Sequence, residues 1–233
     1  MRPACDWRLY LVTDRDLSGG RAIEDVVAAA VRGGVTAVQL REKSCSTREF
    51  IELGRVLKRL LAPLRIPLIV NDRVDVALAV GADGVHIGQQ DMDCACARRL
   101  LGPAAVIGLS IETVEQARAA VSLDLDYLGV GPVFPTATKL DAAPALGLSG
   151  LAEVRAISAR PIVAIGGIAL ANVRSAMEAG ADGIAVVSAI CAAADPELAA
   201  RELRQAIDAA RKIRQQQPLP HGRGSEPAAK TEP

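Results

Sequence analysis

The strongest constraint in this chain is a repeat. Short apolar, β-branched runs alternate with longer stretches of helical periodicity, and they do so eight times. The strand-like runs are Leu9–Thr13, Ala37–Arg41, Leu68–Asn71, Gly84–Ile87, Val106–Leu109, Tyr127–Val130, Ile162–Ile165 and Ile184–Val187. Helices are predicted near 22–32, 47–61, 73–80, 93–101, 113–121, 149–158, 171–179 and 196–215. Asp25–Val26–Val27–Ala30–Val31 and Val114–Ala117–Ala120–Val121 carry their apolar residues on one side, as helices on an outer ring do. "GADG" occurs at 81–84 and again at 180–183, each time ending a helix and opening a strand. The strands read as wholly apolar rather than alternating, which favours a parallel sheet covered on both faces. Eight such units of roughly 27 residues each fit a small (β/α)8 TIM barrel. A doubly wound open sheet is the rival arrangement.

The barrel is expected to occupy residues 1–215 as a single catalytic domain. From Gln216 the chain reads "QQPLPHGRGSEPAAKTEP", rich in Pro, Gly and charge without periodicity, and a disordered tail is expected over 216–233. The 27 basic side chains balance the 27 acidic ones, so there is no electrostatic footprint for nucleic acid. No apolar run is long enough to span a membrane, and the N-terminus lacks a signal peptide's apolar core. The five cysteines are irregularly spaced and read as reduced small residues, which places the protein in the cytoplasm. Small-molecule substrates are the expected partners; a homo-oligomer is left open.

Barrels of this kind build their sites at the carboxyl ends of the strands. There "PLIVNDR" leaves its apolar run at Asn71 and Asp72, and "GVHIGQQD" reaches Asp91. Two carboxylates at adjacent strand ends suit Mg2+, which takes one or two carboxylates plus waters and substrate phosphates. The competing reading is that each aspartate caps the helix that follows it. Arg41 and Lys43 on the second strand, with Lys139 in the loop after the sixth, complement a diphosphate. Glu42 either orients these cations or faces away by strand alternation. Gly166–Gly167 and Ser188, at the ends of the seventh and eighth strands, resemble the phosphate cradle of such barrels, although a plain turn also explains the glycines. His86 is either a packed, hydrogen-bonded histidine or an acid–base group, and Asp14 a helix-approach or lining residue. The proline-rich stretch "GPVFPTATKLDAAPALGL" reads as a loop over the site. No nucleophile elbow and no Ser-His-Asp arrangement is found.

Taken in order, "QLREK", "NDRVDVALAVGADGVHIGQQD", "GLS", "GPVFPTATKLDAAPALGL", "AIGGI" and "AGADGIAVVSAI" resemble the thiamine-phosphate synthase family, from about Leu9 to Ile190. The resemblance implies a Mg2+-dependent (β/α)8 transferase. It would join 4-amino-2-methyl-5-(diphosphooxymethyl)pyrimidine to a thiazole phosphate, or its carboxylated tautomer, giving thiamine phosphate and diphosphate. It also implies site residues. Gln39, Leu40, Arg41, Glu42, Lys43, Asn71, Ser110 and Lys139 would contact the pyrimidine diphosphate, with Arg41, Lys43, Ser110 and Lys139 catalytic. Thr136, Ala137, Thr138, Gly167, Val187 and Ser188 would hold the thiazole phosphate, and Asp72 and Asp91 the metal. A thiazole tautomerase and a non-catalytic thiamine-phosphate-binding protein are the alternatives. "QLREK" and the paired aspartates favour diphosphate chemistry over the tautomerase.

Overall fold

A computed structural model describes residues 5–136 and 144–216. Eight parallel strands follow one another around a closed barrel: β1 (Leu9–Val12), β2 (Ala37–Leu40), β3 (Leu68–Asn71), β4 (Gly84–Ile87), β5 (Val106–Ile111), β6 (Tyr127–Val130), β7 (Ile162–Ala164) and β8 (Gly183–Val186). Closure comes from β1 against β8, with Leu9 opposite Ile184 and Leu11 opposite Val186, so the sheet has no open edge. The expected barrel is therefore the fold, and the open-sheet alternative falls. Each strand lies within a residue or two of its expected place; β5 runs on to Ile111 and carries Ser110 inside the ladder.

The outer ring comprises α1 (Ile23–Arg32), α2 (Thr47–Leu61), α3 (Val74–Val80), α4 (Cys94–Leu101), α5 (Val114–Ala119), α6 (Gly147–Ile157) and α7 (Val173–Glu178), then α8 (Ser188–Cys191) and α9 (Pro196–Gln216). The sequence pattern missed α8, a single turn directly after β8. α9 extends one residue past the expected domain end, and the proposed tail beyond it lies outside the described residues. Leu11, Val38, Leu40, Val70 and Val85 point outward into one continuous helix–sheet core with Val27, Phe50 and Leu57. Removing such side chains from water is the main stabilising term, at about 1.5–3 kcal/mol each.

A repeated device closes the N-terminal end of the barrel. Asp83, just before β4, accepts the Leu68 N–H at the start of β3 (2.9 Å) and pairs with Lys58 (2.7 Å). Asp126, just before β6, accepts the Ile107 N–H of β5 (2.8 Å) and pairs with Arg98 (2.9 Å). Asp182, just before β8, accepts the Ile162 N–H of β7 (2.9 Å) and pairs with Arg155 (2.6 Å). The aspartate in each "GADG" thus satisfies a strand-end donor that the ladder leaves free. Its last glycine fits backbone to backbone: a Cβ on Gly84 would lie 1.9 Å from the Val106 carbonyl oxygen, and one on Gly183 1.7 Å from that of Trp7.

Candidate active site

The opposite, C-terminal end of the barrel opens into a cavity of about 950 Å3. Gln39, Arg41, Lys43, Asn71, Asp72, Asp91, Ser110, Thr136, Gly167, Val187 and Ser188 all line it. Residues from β2 through β8, up to about 149 positions apart along the chain, are brought to one mouth because parallel strands all end on the same side.

Five expected contacts stand differently. The Leu40 side chain is fully buried in the helix–sheet core, because it follows the inward-facing Gln39 on a strand whose side chains alternate. Glu42 is likewise turned away from Arg41 and Lys43: its carboxylate is 2 % exposed and pairs with Arg15 at 2.9 Å. Thr136 is the last residue described before the gap, so Ala137, Thr138 and Lys139 lie outside the described residues.

Neither mouth aspartate caps a helix. The residue entering α3 is Arg73, with no side-chain cap bond, and α4 is capped by Asp93, which accepts the Cys96 N–H at 2.8 Å. Asp72 instead sits in the left-handed backbone region (φ 61°), with its N–H on the His86 carbonyl at 2.8 Å. A non-glycine residue there is uncommon, and Asp and Asn tolerate it best. Asp91 Oδ2 accepts the Gly88 N–H at 2.7 Å, which holds the β4 loop in a turn and presents the carboxylate to Asp72. Desolvation by the cavity walls, then the hydrogen bond and charge of Asp91, push the Asp72 carboxyl up to about 6. Two carboxylates held this close suit a shared hard cation. Among the described residues no group of three or more His, Cys, Asp and Glu side chains forms a metal cluster, so waters or substrate oxygens would complete a Mg2+ shell.

On the β1–β2 side, Asp14 and Thr13 position Arg41. Asp14 Oδ2 accepts from the guanidinium at 3.0 Å, and its other oxygen takes the Leu17 N–H at 3.1 Å. Thr13 Oγ1 accepts the Arg41 backbone N–H at 3.0 Å. Across the mouth, Gly166 and Gly167 turn with φ of 91° and 63°. Their missing Cβ atoms leave room for the β6 loop: one on Gly166 would lie 2.5 Å from Pro132 Cα, one on Gly167 2.5 Å from the Pro135 carbonyl. The Asn172 amide holds this turn by donating to the Gly167 carbonyl at 2.9 Å.

His86 is the buried, hydrogen-bonded histidine of the two readings. Burial pulls its pKa down to about 4, so the ring is neutral at ordinary pH. Its Nδ1 lies 2.8 Å from the Tyr127 hydroxyl and its Nε2 2.9 Å from Ser110 Oγ. Tyr10 and Tyr127, both on the barrel axis, were not singled out by sequence reasoning. Gln89, which donates to the Ser110 carbonyl at 2.6 Å, was also missed.

A (β/α)8 barrel whose acids, cations and glycine turn converge on one C-terminal mouth belongs to the class of barrel enzymes acting on small phosphorylated molecules. The family model described as thiamine monophosphate synthase matches residues 9–190. A thiamine-phosphate synthase of Albidiferax ferrireducens is 59% identical over 202 residues, which cover 87% of this chain and 92% of that protein. One from Chloroflexus aurantiacus is 56% identical over 202 residues, covering 87% and 93%. The solved thiamine phosphate pyrophosphorylase of Pyrococcus furiosus superposes with a TM-score of 0.82 at 41% identity, over 88% of this chain and 97% of that one. The chain belongs to the thiamine monophosphate synthase family and is a transferase of the thiamine-phosphate synthase type in thiamine biosynthesis. Among the described residues no helix is long and apolar enough to cross a membrane.

Proposed function

We propose that the protein couples 4-amino-2-methyl-5-(diphosphooxymethyl)pyrimidine to a thiazole phosphate, or its carboxylated tautomer, in the cytoplasm. Thiamine phosphate and diphosphate are the products, with carbon dioxide from the carboxylated form. The observation that carries this reading is that one cavity is lined from strand ends on opposite parts of the barrel by groups suited to two phosphorylated ligands. Arg41, Lys43 and the aspartate pair stand on one side, the Gly167 turn and Ser188 on the other.

Asp72 and Asp91 would hold Mg2+, which when bound offsets charge on the diphosphate. Arg41, kept in place by Asp14 and Thr13, offers its planar donor fork to the departing group. Lys43 adds a mobile charge, and Lys139 is proposed to add a second cation. Gln39 and Asn71 orient the aminopyrimidine, whose exocyclic carbon is left electron-poor as the diphosphate departs. The amino group delocalises that charge, and the thiazole nitrogen, held through its phosphate beside Gly167 and Ser188, then attacks the same carbon. No covalent bond to the protein is required. Incubating the protein with both substrates and Mg2+ should yield thiamine phosphate and diphosphate. Interconversion of thiazole tautomers without coupling, or binding of thiamine phosphate without turnover, would overturn the proposal.

A further inference from the structure

The Ser110–His86 contact looks at first like an activated nucleophile, a serine hydroxyl 2.9 Å from an imidazole nitrogen. The groups behind the histidine argue the opposite. Gln39 Nε2 donates to the Tyr10 hydroxyl at 3.0 Å, the Tyr10 and Tyr127 hydroxyls are 3.0 Å apart, and Tyr127 reaches His86 Nδ1 at 2.8 Å. Five side chains therefore form one chain of hydrogen bonds across the barrel, and both of its ends, Gln39 and Ser110, line the cavity.

Proton counting gives this chain a direction. Gln39 Nε2 can only donate, so Tyr10 oxygen accepts there and the Tyr10 proton goes to Tyr127. Tyr127, accepting from Tyr10, gives its own proton to His86 Nδ1. A ring nitrogen that accepts is bare, so the single proton of the imidazole sits on Nε2 and points at Ser110. With its oxygen already accepting from His86, Ser110 has its own proton free for the cavity. We propose that Gln39, Tyr10, Tyr127 and His86 form a one-way relay that positions Ser110 and commits it as a hydrogen-bond donor to substrate.

His86 in this tautomer cannot take the serine proton, so Ser110 is not a nucleophile. It is built to meet an acceptor, such as a diphosphate oxygen or a ring nitrogen. The Gln39 amide, donating through nitrogen, keeps its oxygen for a donor such as an aromatic amine. The barrel is shaped around the relay. A Cβ on Gly108 would lie 2.1 Å from Tyr127 Cζ, and one on Gly129 2.7 Å from His86 Cε1, so both glycines make room for the rings. Trp7 packs on Tyr127 from below with ring centroids 4.1 Å apart. The structural part of this inference stands by itself; its consequence for turnover rests on the coupling reaction proposed above.

The decisive measurement is the tautomer of His86 by 15N NMR of the ligand-free protein at neutral pH. His221 is the only other histidine of the chain, and a His221→Ala variant removes its signals. A pyridine-like Nδ1 with a pyrrole-like Nε2 supports the relay. The reverse pattern, which a turned-round Gln39 amide would produce, overturns it. Turnover is then compared in variants. Tyr127→Phe keeps the ring but breaks the chain, and should lower kcat on the order of tenfold while mixing the two tautomers. His86→Gln can still offer an N–H toward Ser110 and should retain about tenfold more activity than His86→Leu. Equal loss in both His86 variants, with both folded, would show that the histidine only fills space. The tautomer is read without substrates on the unaltered ring, so its failure is distinguishable from failure of the coupling reaction.

Discussion

The paired carboxylates at the mouth make the most exacting prediction. Asparagine is the appropriate probe at both positions, because it tolerates the left-handed backbone of Asp72 (φ 61°) as aspartate does. In Asp91→Asn the amide oxygen can still accept the Gly88 N–H, now seen at 2.7 Å, so the β4 turn survives. The amide nitrogen then faces Asp72 and donates to it, and a repelling pair becomes a hydrogen bond. Two effects of opposite sign follow. With one of two anionic ligands gone, the Mg2+ concentration for half-maximal turnover should rise by at least about tenfold, the scale on which even outer-sphere partners of a metal count.

Without Mg2+ the same variant should melt higher than the unaltered protein, and only in one pH range. Burial and Asp91 raise the Asp72 carboxyl from 3.8 to about 6 in the folded protein. Its contribution to stability is therefore full below the lower value and lost as pH rises through the upper one. The advantage of Asp91→Asn should be absent near pH 4 and present at pH 7. Turnover against Mg2+ and thermal melts at both pH values, for Asp72→Asn and Asp91→Asn, complete the assay. Folded variants with unaltered Mg2+ dependence would refute the shared-cation assignment. An equal melting shift at both pH values would refute the electrostatic account of the pair.

Ser188→Asp sets a negative charge against the proposed thiazole-phosphate side and should weaken that ligand more than the pyrimidine diphosphate in calorimetry; the reverse order would reject the division of the cavity. Lys139→Ala removes a cation that the proposed reaction sets against the departing diphosphate and should cut single-turnover rates by roughly a hundredfold, with little change in thiazole affinity. Gly108→Ala drives a methyl into the Tyr127 ring, where its Cβ would lie 2.1 Å from Cζ, and should cost at least about 1–3 kcal/mol in denaturant unfolding.

Much of this architecture is legible in the sequence because parallel strands are buried on both faces and read as unbroken apolar runs. The mouth is legible for a related reason: "NDR" and "QQD" are polar groups that no buried strand end needs. The alternation of inward and outward side chains along each strand is harder to read, because on a doubly buried strand both sets are apolar. The resemblance brings Leu40 and Glu42 into the site beside Gln39 and Arg41, but the Leu40 side chain packs in the core and the Glu42 carboxylate pairs with Arg15. The relay was hidden for the same reason. Tyr10, His86 and Tyr127 sit in "LYLV", "GVHI" and "YLGV" as single inward residues, and only closure of the barrel brings their hydroxyls and imidazole together. The turn α8 has four residues and no side-chain cap, so nothing in composition marks it.

The distribution of aspartates explains why one end of the barrel is scaffold and the other is chemistry. At the N-terminal end Asp83, Asp126 and Asp182 each take a strand N–H and a cation, so each negative charge is answered locally. At the C-terminal end Asp91 takes the Gly88 N–H and Asp72 is hydrogen-bonded by Asn71, yet the two carboxylates also face each other, which is unfavourable at neutral pH. Arg41, the cation whose charge reaches Asp72, already donates to Asp14. Folding alone gives no reason to keep two acids facing one another when the same chain satisfies three others with strand ends and cations. A positively charged ligand supplies that reason: it would convert the repulsion into coordination and set the diphosphate side of the cavity beside Arg41 and Lys43.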